Sequence, residues 1–147
     1  MPGHLARRFQ QIAVAVFHAE VEAMGSDLTP VQYAALLSIQ SHPGIDQITL
    51  AGQIAYDRTT ITGVIDRLER KGLVIRAVND ADRRARELRI TSDGAELLRR
   101  IQPAVNAAQD VLLSGLSADE GRHLMRLLRK AIDAVNDRSR APLRPNA

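Results

Sequence analysis

The stretch that most limits how this chain can fold is residues 46–72, "DQITLAGQIAYDRTTITGVIDRLERKG", where two short amphipathic segments are separated by about three residues. In the first, Asp46 stands where a helix cap is needed, and Ile48, Leu50, Ala51 and Ile54 offer a small apolar face. In the second, Ile61, Val64, Ile65 and Leu68 recur at helical spacing. Lys71 and Gly72 then supply a cation for the helix dipole and a residue suited to the left-handed cap. Helices of about eight and thirteen residues joined this tightly have the proportions of a helix-turn-helix.

The chemistry changes at Gly72. "LVIRAV" is rich in β-branched residues, "NDADRR" is turn chemistry, and "ARELRI" sets Leu88 and Ile90 on one side against Glu87 and Arg89 on the other. This predicts a two-stranded hairpin with a projecting tip, one that must lean on the preceding helices because an isolated strand pair is marginal in water. The flanks are helical. A first helix over roughly 4–24 carries the stripe Leu5, Phe9, Ile12, Val16 and Phe17 and ends at Gly25, and a second over 30–41 follows Thr29 and Pro30 and stops at "HPG". Beyond the hairpin lies a long helix with Leu97, Leu98, Ile101, Val105, Val111 and Leu112, in which Pro103 should kink or interrupt the path. A last helix opens with Ser117 and Glu120 as a capping box and continues through Leu124, Leu127, Leu128, Ile132 and Val135. The tail "NDRSRAPLRPNA" has little to bury and is expected to fray. The apolar stripes of the terminal helices need each other and a second copy of the chain, so a homodimer is the economical solution.

Charge follows this organisation. The net charge is +3, but residues 1–57 hold two arginines against five acids, whereas residues 58–89 hold eight arginines and Lys71 against five acids. A basic patch there fits a polyanion partner or an arginine-rich solvated surface. The absence of cysteine excludes a disulfide framework, a thiolate metal site and thiol-based redox sensing. With no signal-like segment and no window near the roughly 18 apolar residues of a membrane span, the chain reads as soluble and cytoplasmic.

Catalytic signatures are missing. There is no G-x-S-x-G, no phosphate-cradling loop and no G-x-G-x-x-G, so neither an enzyme nor a bound cofactor is expected. His4, His18, His42 and His123 lack metal-ligand spacing, and His18 with Glu22 makes two ligands rather than a site. A nucleic-acid reading fits better. The second helix of a helix-turn-helix enters the major groove with its N-terminal residues against base edges, and Arg58, Thr59, Thr60 and Thr62 are of the right type in that place. Thr59 and Thr60 could equally serve only as capping residues. Arg67 could contact a phosphate or a guanine, or pair with Asp66 or Glu69. Gly63 within this helix costs roughly 1 kcal/mol against alanine.

The segments "LTPVQYAALLSI", "LAGQIAYDRTTITGVIDRLERKGLVIR" and "NDADRRARELRITSDGAELL" together resemble the MarR family of bacterial winged-helix regulators, in order and at the family's spacing, over about residues 28–98. The resemblance implies a mainly α chain with a small β-hairpin wing, a single domain over 1–147. Within it, a DNA-binding winged helix-turn-helix core spans 28–91, dimerisation helices span 4–24 and 92–137, and a flexible tail spans 138–147. It further implies a homodimer on a pseudo-palindromic operator, usually a repressor, released by a small phenolic or aromatic carboxylate ligand. The wing arginine that enters the minor groove falls on Arg84, the aspartate that orients it on Asp82, and a backbone contact on Arg83; the recognition-helix contacts fall on Arg58, Thr59, Thr60, Thr62 and Arg67. Many members carry a basic residue where this chain has Gly63. For the effector, the resemblance points to Arg8, with Arg7, on the ligand carboxylate and to His18, Gln32 and Tyr33 as neighbours, against which stands an ordinary salt bridge. Two other functions share the architecture: a DNA-binding protein without a small-molecule effector, and a protein-interaction module whose basic face meets an acidic protein.

Overall fold

A computed structural model describes residues 1–79, 81–82 and 86–145 of the chain. Its elements are α1 (Pro2–Ala23), α2 (Pro30–Ser41), β1 (Ile45–Asp46), α3 (Gln47–Gln53), α4 (Arg58–Arg70), β2 (Val74–Val78), β3 (Arg86–Ile90), α5 (Ser92–Leu113), α6 (Ala118–Ala134) and a short 3-10 turn, Asn136–Arg138. No described helix is long and apolar enough to cross a membrane. The chain divides into two compact units: Met1–Pro30 with Arg100–Ala134, and Val31–Arg99 with Val135–Ala147.

In the second unit the helix-turn-helix and the hairpin share one core. Leu36 and Ile39 of α2, Leu50 of α3, Ile61, Ile65 and Leu68 of α4 and Leu88 of β3 are all fully buried. The sheet has three strands in the order β1-β3-β2, one more than the hairpin expected from sequence. The extra strand is a two-residue pairing of Ile45 with Leu88 and Asp46 with Glu87, too short to leave an alternating pattern. Ile48 also departs from expectation. It is 61% exposed while Leu50 is buried, because residues two apart lie on opposite sides of a helix and cannot share its inner face.

The predicted caps take their places. The carboxylate of Asp46 accepts from Thr49 N at 2.8 Å, and Ser117 and Glu120 exchange backbone and side-chain hydrogen bonds at 2.8 and 3.2 Å. Pro103 does not interrupt α5, which continues through it as a single helix; Ile101, Ala104 and Val105 around it are buried, and that packing holds the helix across the missing hydrogen bond.

In the first unit, α1 buries Phe17 and Val21 and α5 buries Ile101, Ala104, Val105 and Ala108. Much of the remaining apolar stripe is uncovered in the single chain, although Val16, Leu124 and Leu128 are half-buried. Leu5, Phe9 and Ile12 on α1 and Met125, Leu127 and Ile132 on α6 are all exposed, which is unusual for a solitary soluble unit.

In place of the frayed tail expected at 138–147, the described part of the chain end is held against α3. Arg144 N donates to Gly52 O at 2.7 Å, and Asn136 forms two hydrogen bonds with the backbone of Leu143.

The tightest junction is at Gly94, where α5 begins. A Cβ built there would overlap the Leu73 carbonyl oxygen and lie 2.7 Å from Ile90 Cγ1. Replacing Gly94 with alanine is therefore expected to destabilise the chain by about 1–3 kcal/mol, the usual cost of overpacking. Urea unfolding would read this as a lower midpoint at unchanged slope; an unaltered midpoint would show that the junction relaxes freely.

Candidate nucleic-acid interface

The turn between α3 and α4 is closed by Tyr56 N donating to Ala51 O at 3.0 Å and by Ala55 in the left-handed region at φ 56°. That conformation costs a residue with a Cβ about 1–2 kcal/mol, so the turn is held by its surroundings rather than by local preference. Asp57 then caps α4. Its carboxylate accepts from Thr60 N at 2.8 Å and from the Thr60 hydroxyl at 2.9 Å. These hydrogen bonds hold the Asp57 carboxyl below its ordinary value of 3.8, the backbone N–H of Thr60 acting most strongly.

The inner face of α4 is buried through Ile61, Val64, Ile65 and Leu68, and this fixes what its outer face presents. Arg58, Thr59, Thr60, Thr62 and Arg67 are all exposed there. They are not equivalent. The side chains of Arg58, Thr59 and Arg67 make no hydrogen bond or ion pair among the described residues. Thr60 spends its hydroxyl on Asp57, and Thr62 accepts from Gln47 Nε2 at 2.7 Å while donating to Arg58 O at 2.9 Å. Gly63 lies on the same helix, and among the described residues no atom beyond its chain neighbours and its own helix backbone lies within 4 Å of a built Cβ.

A residue with no assigned role in the sequence, Arg76 on β2, organises this face from behind. Its guanidinium donates to Asp66 at 2.7 Å and to Glu69 at 3.3 Å on α4, and reaches Gln47 Oε1 on α3 at 3.5 Å. Asp66 and Glu69, the acids that could have paired with Arg67, are thus both engaged by Arg76. A lone arginine inside "LVIRAV" was the available signal, but its partners are ten, seven and twenty-nine residues away and no local pattern reveals them.

Along the wing, β2 and β3 pair from Val74 with Ile90 to Val78 with Arg86. The Asn79 side chain accepts from Ala81 N at 2.8 Å and Asp82 N at 3.2 Å, an Asx turn that starts the tip. Asp82 is exposed; Arg83 and Arg84 lie outside the described residues.

The residues singled out for an effector are divided between the units. Arg7, Arg8 and His18 are exposed on α1, with Arg7 donating to Gln11 at 2.9 Å. Gln32, 5% exposed, and the half-buried Tyr33 are on α2. Among the described residues no group of three or more potential metal ligands comes together.

Comparison with known proteins agrees with this architecture. The sequence profile of the MarR family matches residues 28–85. The HTH-type transcriptional repressor NicR of Pseudomonas putida is 32% identical over 132 residues, 90% of this chain and 82% of NicR. The PcaV transcriptional regulator of Streptomyces coelicolor, solved in complex with its natural ligand, superposes with a TM-score of 0.84 at 36% identity, covering 92% of this chain and 94% of PcaV. BpsR of Bordetella bronchiseptica, whose DNA binding is regulated by 6-hydroxynicotinic acid, gives 0.84 at 30% identity over 90% and 94% of the two chains. With a helix-turn-helix, a three-stranded wing and relatives that align over nearly its whole length, the chain belongs to the MarR family of transcriptional regulators.

Proposed function

We propose that this protein is a cytoplasmic, homodimeric repressor that binds a pseudo-palindromic operator and is released by a small aromatic acid. The observation that carries the DNA-binding part is the outer face of α4, where Arg58, Thr59 and Arg67 stand exposed with their polar groups unspent while the acids beside them are engaged from behind. Arg84 supplies the wing's minor-groove contact, supported by Asp82, and Arg83 a backbone contact; a narrow minor groove concentrates the negative potential that favours arginine. Thr60 and Thr62 hold the helix start in shape and keep only spare acceptor capacity for DNA. The exposed apolar residues of α1 and α6 support the homodimer, since burial against a second copy removes them from water. The relatives named above regulate transcription, and no catalytic role is assigned to this chain.

The release step rests on likeness to PcaV and BpsR. Arg8 pairs with the ligand carboxylate, with Arg7, His18, Gln32 and Tyr33 as neighbours. A charge-assisted pair is worth about 1.5–3 kcal/mol, enough to make one arginine decisive for the response.

A duplex selected by the wild-type protein from a random-sequence pool is expected to bind far more tightly than unselected DNA, with affinity falling steeply as salt rises. Equal affinity for both would remove the operator reading, and salt-independent binding would remove the DNA-backbone contribution. On that duplex, Arg84→Ala should cost about 1–3 kcal/mol of binding with the dimer intact; wild-type affinity would reassign the wing contact. Gly63→Ala should raise thermal stability by about 1 kcal/mol while weakening the selected duplex, because the only space open to the new methyl group faces outward. Tighter or unchanged binding would show that DNA does not approach there. Hydroxylated benzoic and nicotinic acids should dissociate the wild-type complex, and Arg8→Ala should need about tenfold more ligand; an unchanged titration would take Arg8 out of the site.

A further inference from the structure

We propose that the folded-back chain end is a second DNA-backbone contact, in which Arg138 and Arg140 reach phosphates beside the groove entered by the first turn of α4. This rests on the DNA-binding reading above and adds to it a surface outside the helix-turn-helix and the wing.

Four observations lead there. The loop from Asn136 to Leu143 is closed at its base by a two-way bond: Asn136 Nδ2 donates to Leu143 O at 3.1 Å, and Leu143 N donates to Asn136 Oδ1 at 2.8 Å. The closed loop is moored to the helix-turn-helix through Arg144 N, which donates at 2.7 Å to Gly52 O in the last turn of α3, a carbonyl that also accepts from Ala55 N at the longer distance of 3.4 Å. Gly52 permits this approach, since a Cβ there would sit 3.1 Å from Arg144 Cβ. The loop's acid is neutralised internally: Asp137 accepts from Arg144 Nη1 at 2.8 Å, while Arg138 and Arg140 are exposed and their guanidinium groups make no hydrogen bond or close ion pair among the described residues. Pro142 and Pro145 lower the entropy lost when this segment is ordered, which favours a fixed strap over a loose tail.

The mooring point decides where the two cations lie. Gly52 is five residues before Asp57, the cap of α4, whose carboxyl is held below its ordinary value chiefly by its hydrogen bonds from Thr60, with the charge of Arg140 adding a smaller push in the same direction. An anionic cap at the end of a helix directed at DNA opposes the phosphates. Arg140 offsets that charge and extends the positive surface past the helix start, where the backbone flanking the groove runs. A contact of this kind carries no sequence information and registers in affinity and salt dependence.

The test uses the full-length dimer and the duplex selected by the wild-type protein. Arg140→Ala and the double variant Arg138→Ala/Arg140→Ala are expected to lose on the order of threefold to tenfold in affinity per contact, equally on selected and random DNA. The slope of log affinity against log salt should fall by about 1 for each phosphate released. Melting temperature and dimer mass should be unchanged, because neither side chain supports the fold. Asn136→Ala, which opens the loop but keeps both charges, should lose affinity less than the double variant does. Wild-type affinity and slope in the double variant would overturn the proposal, as would tighter binding, which would make the strap an obstruction. If the wild-type protein itself shows no selective, salt-dependent binding, the DNA reading fails, and that outcome is distinct from a failure confined to the strap.

Discussion

One hydroxyl group sits where the two DNA-reading elements are joined. Thr91 Oγ1 donates to Gly72 O at 2.6 Å and accepts from Gly94 N at 3.0 Å, while Thr91 N donates to Leu73 O at 3.0 Å. The end of α4, the start of β2, the end of β3 and the start of α5 therefore meet within one residue's reach. Since α4 ends at Arg70 and is closed by Gly72 in a left-handed conformation, φ 72°, two residues before β2 begins at Val74, this stitch ties the end of the helix to the start of the wing. Arg76 repeats the tie farther along β2, through Asp66 and Glu69. A hairpin that would be marginal alone is thereby made a rigid extension of the recognition helix.

The electrostatics follow from how the acids are used. Exposed ion pairs contribute little to stability, so the pairing of Asp66 and Glu69 with Arg76 matters chiefly for what it leaves unpaired. Asp46 and Asp57 are likewise engaged, each holding a backbone N–H and a hydroxyl at its own helix start. Arg58 and Arg67 consequently face outward unneutralised, although the sequence places acids next to Arg67. The net excess of positive charge over residues 58–89 is modest; its placement is what makes it a surface.

What the sequence disclosed tracks how local the physics is. Helix starts at Asp46 and Ser117, ends at Gly25 and Gly72, and the β2–β3 hairpin depend on residues a few positions apart, and these were legible; the cap of α4 is Asp57 rather than the threonines the sequence offered. The pairing of Ile45 with Leu88 and the reach of Arg76 to Gln47 join residues far apart in the chain, and they were not. Ile48 was misplaced for a simpler reason: apolar character was counted without its angular position, and two residues of separation turn a side chain to the opposite face. Thr62 shows the limit for the interface itself. Its residue type and position suit DNA contact, but only the structure reveals that Gln47 and the Arg58 carbonyl already occupy its hydroxyl. Arg84, on which the wing assignment turns, still rests on family resemblance together with its place in the chain.

Three glycines in or at the edge of helices show how structure can separate internal from external causes. At Gly94 the Leu73 carbonyl fills the space a methyl group would need, and at Gly52 the strap residue Arg144 would crowd it, its Cβ 3.1 Å away. Each is explained by the chain's own packing. Gly63 costs α4 roughly 1 kcal/mol, yet among the described residues nothing beyond its own helix turn and chain neighbours comes within 4 Å of the place its Cβ would take. A helix glycine with no internal reason, on the outer face that carries Arg58, Thr59 and Arg67, is accounted for most simply by something that approaches from outside. Gly3 is equally open but lies in the first turn of α1; Gly63 differs in lying mid-helix, and a local rule broken there without internal compensation adds to the case for the outer face of α4 independently of its charge.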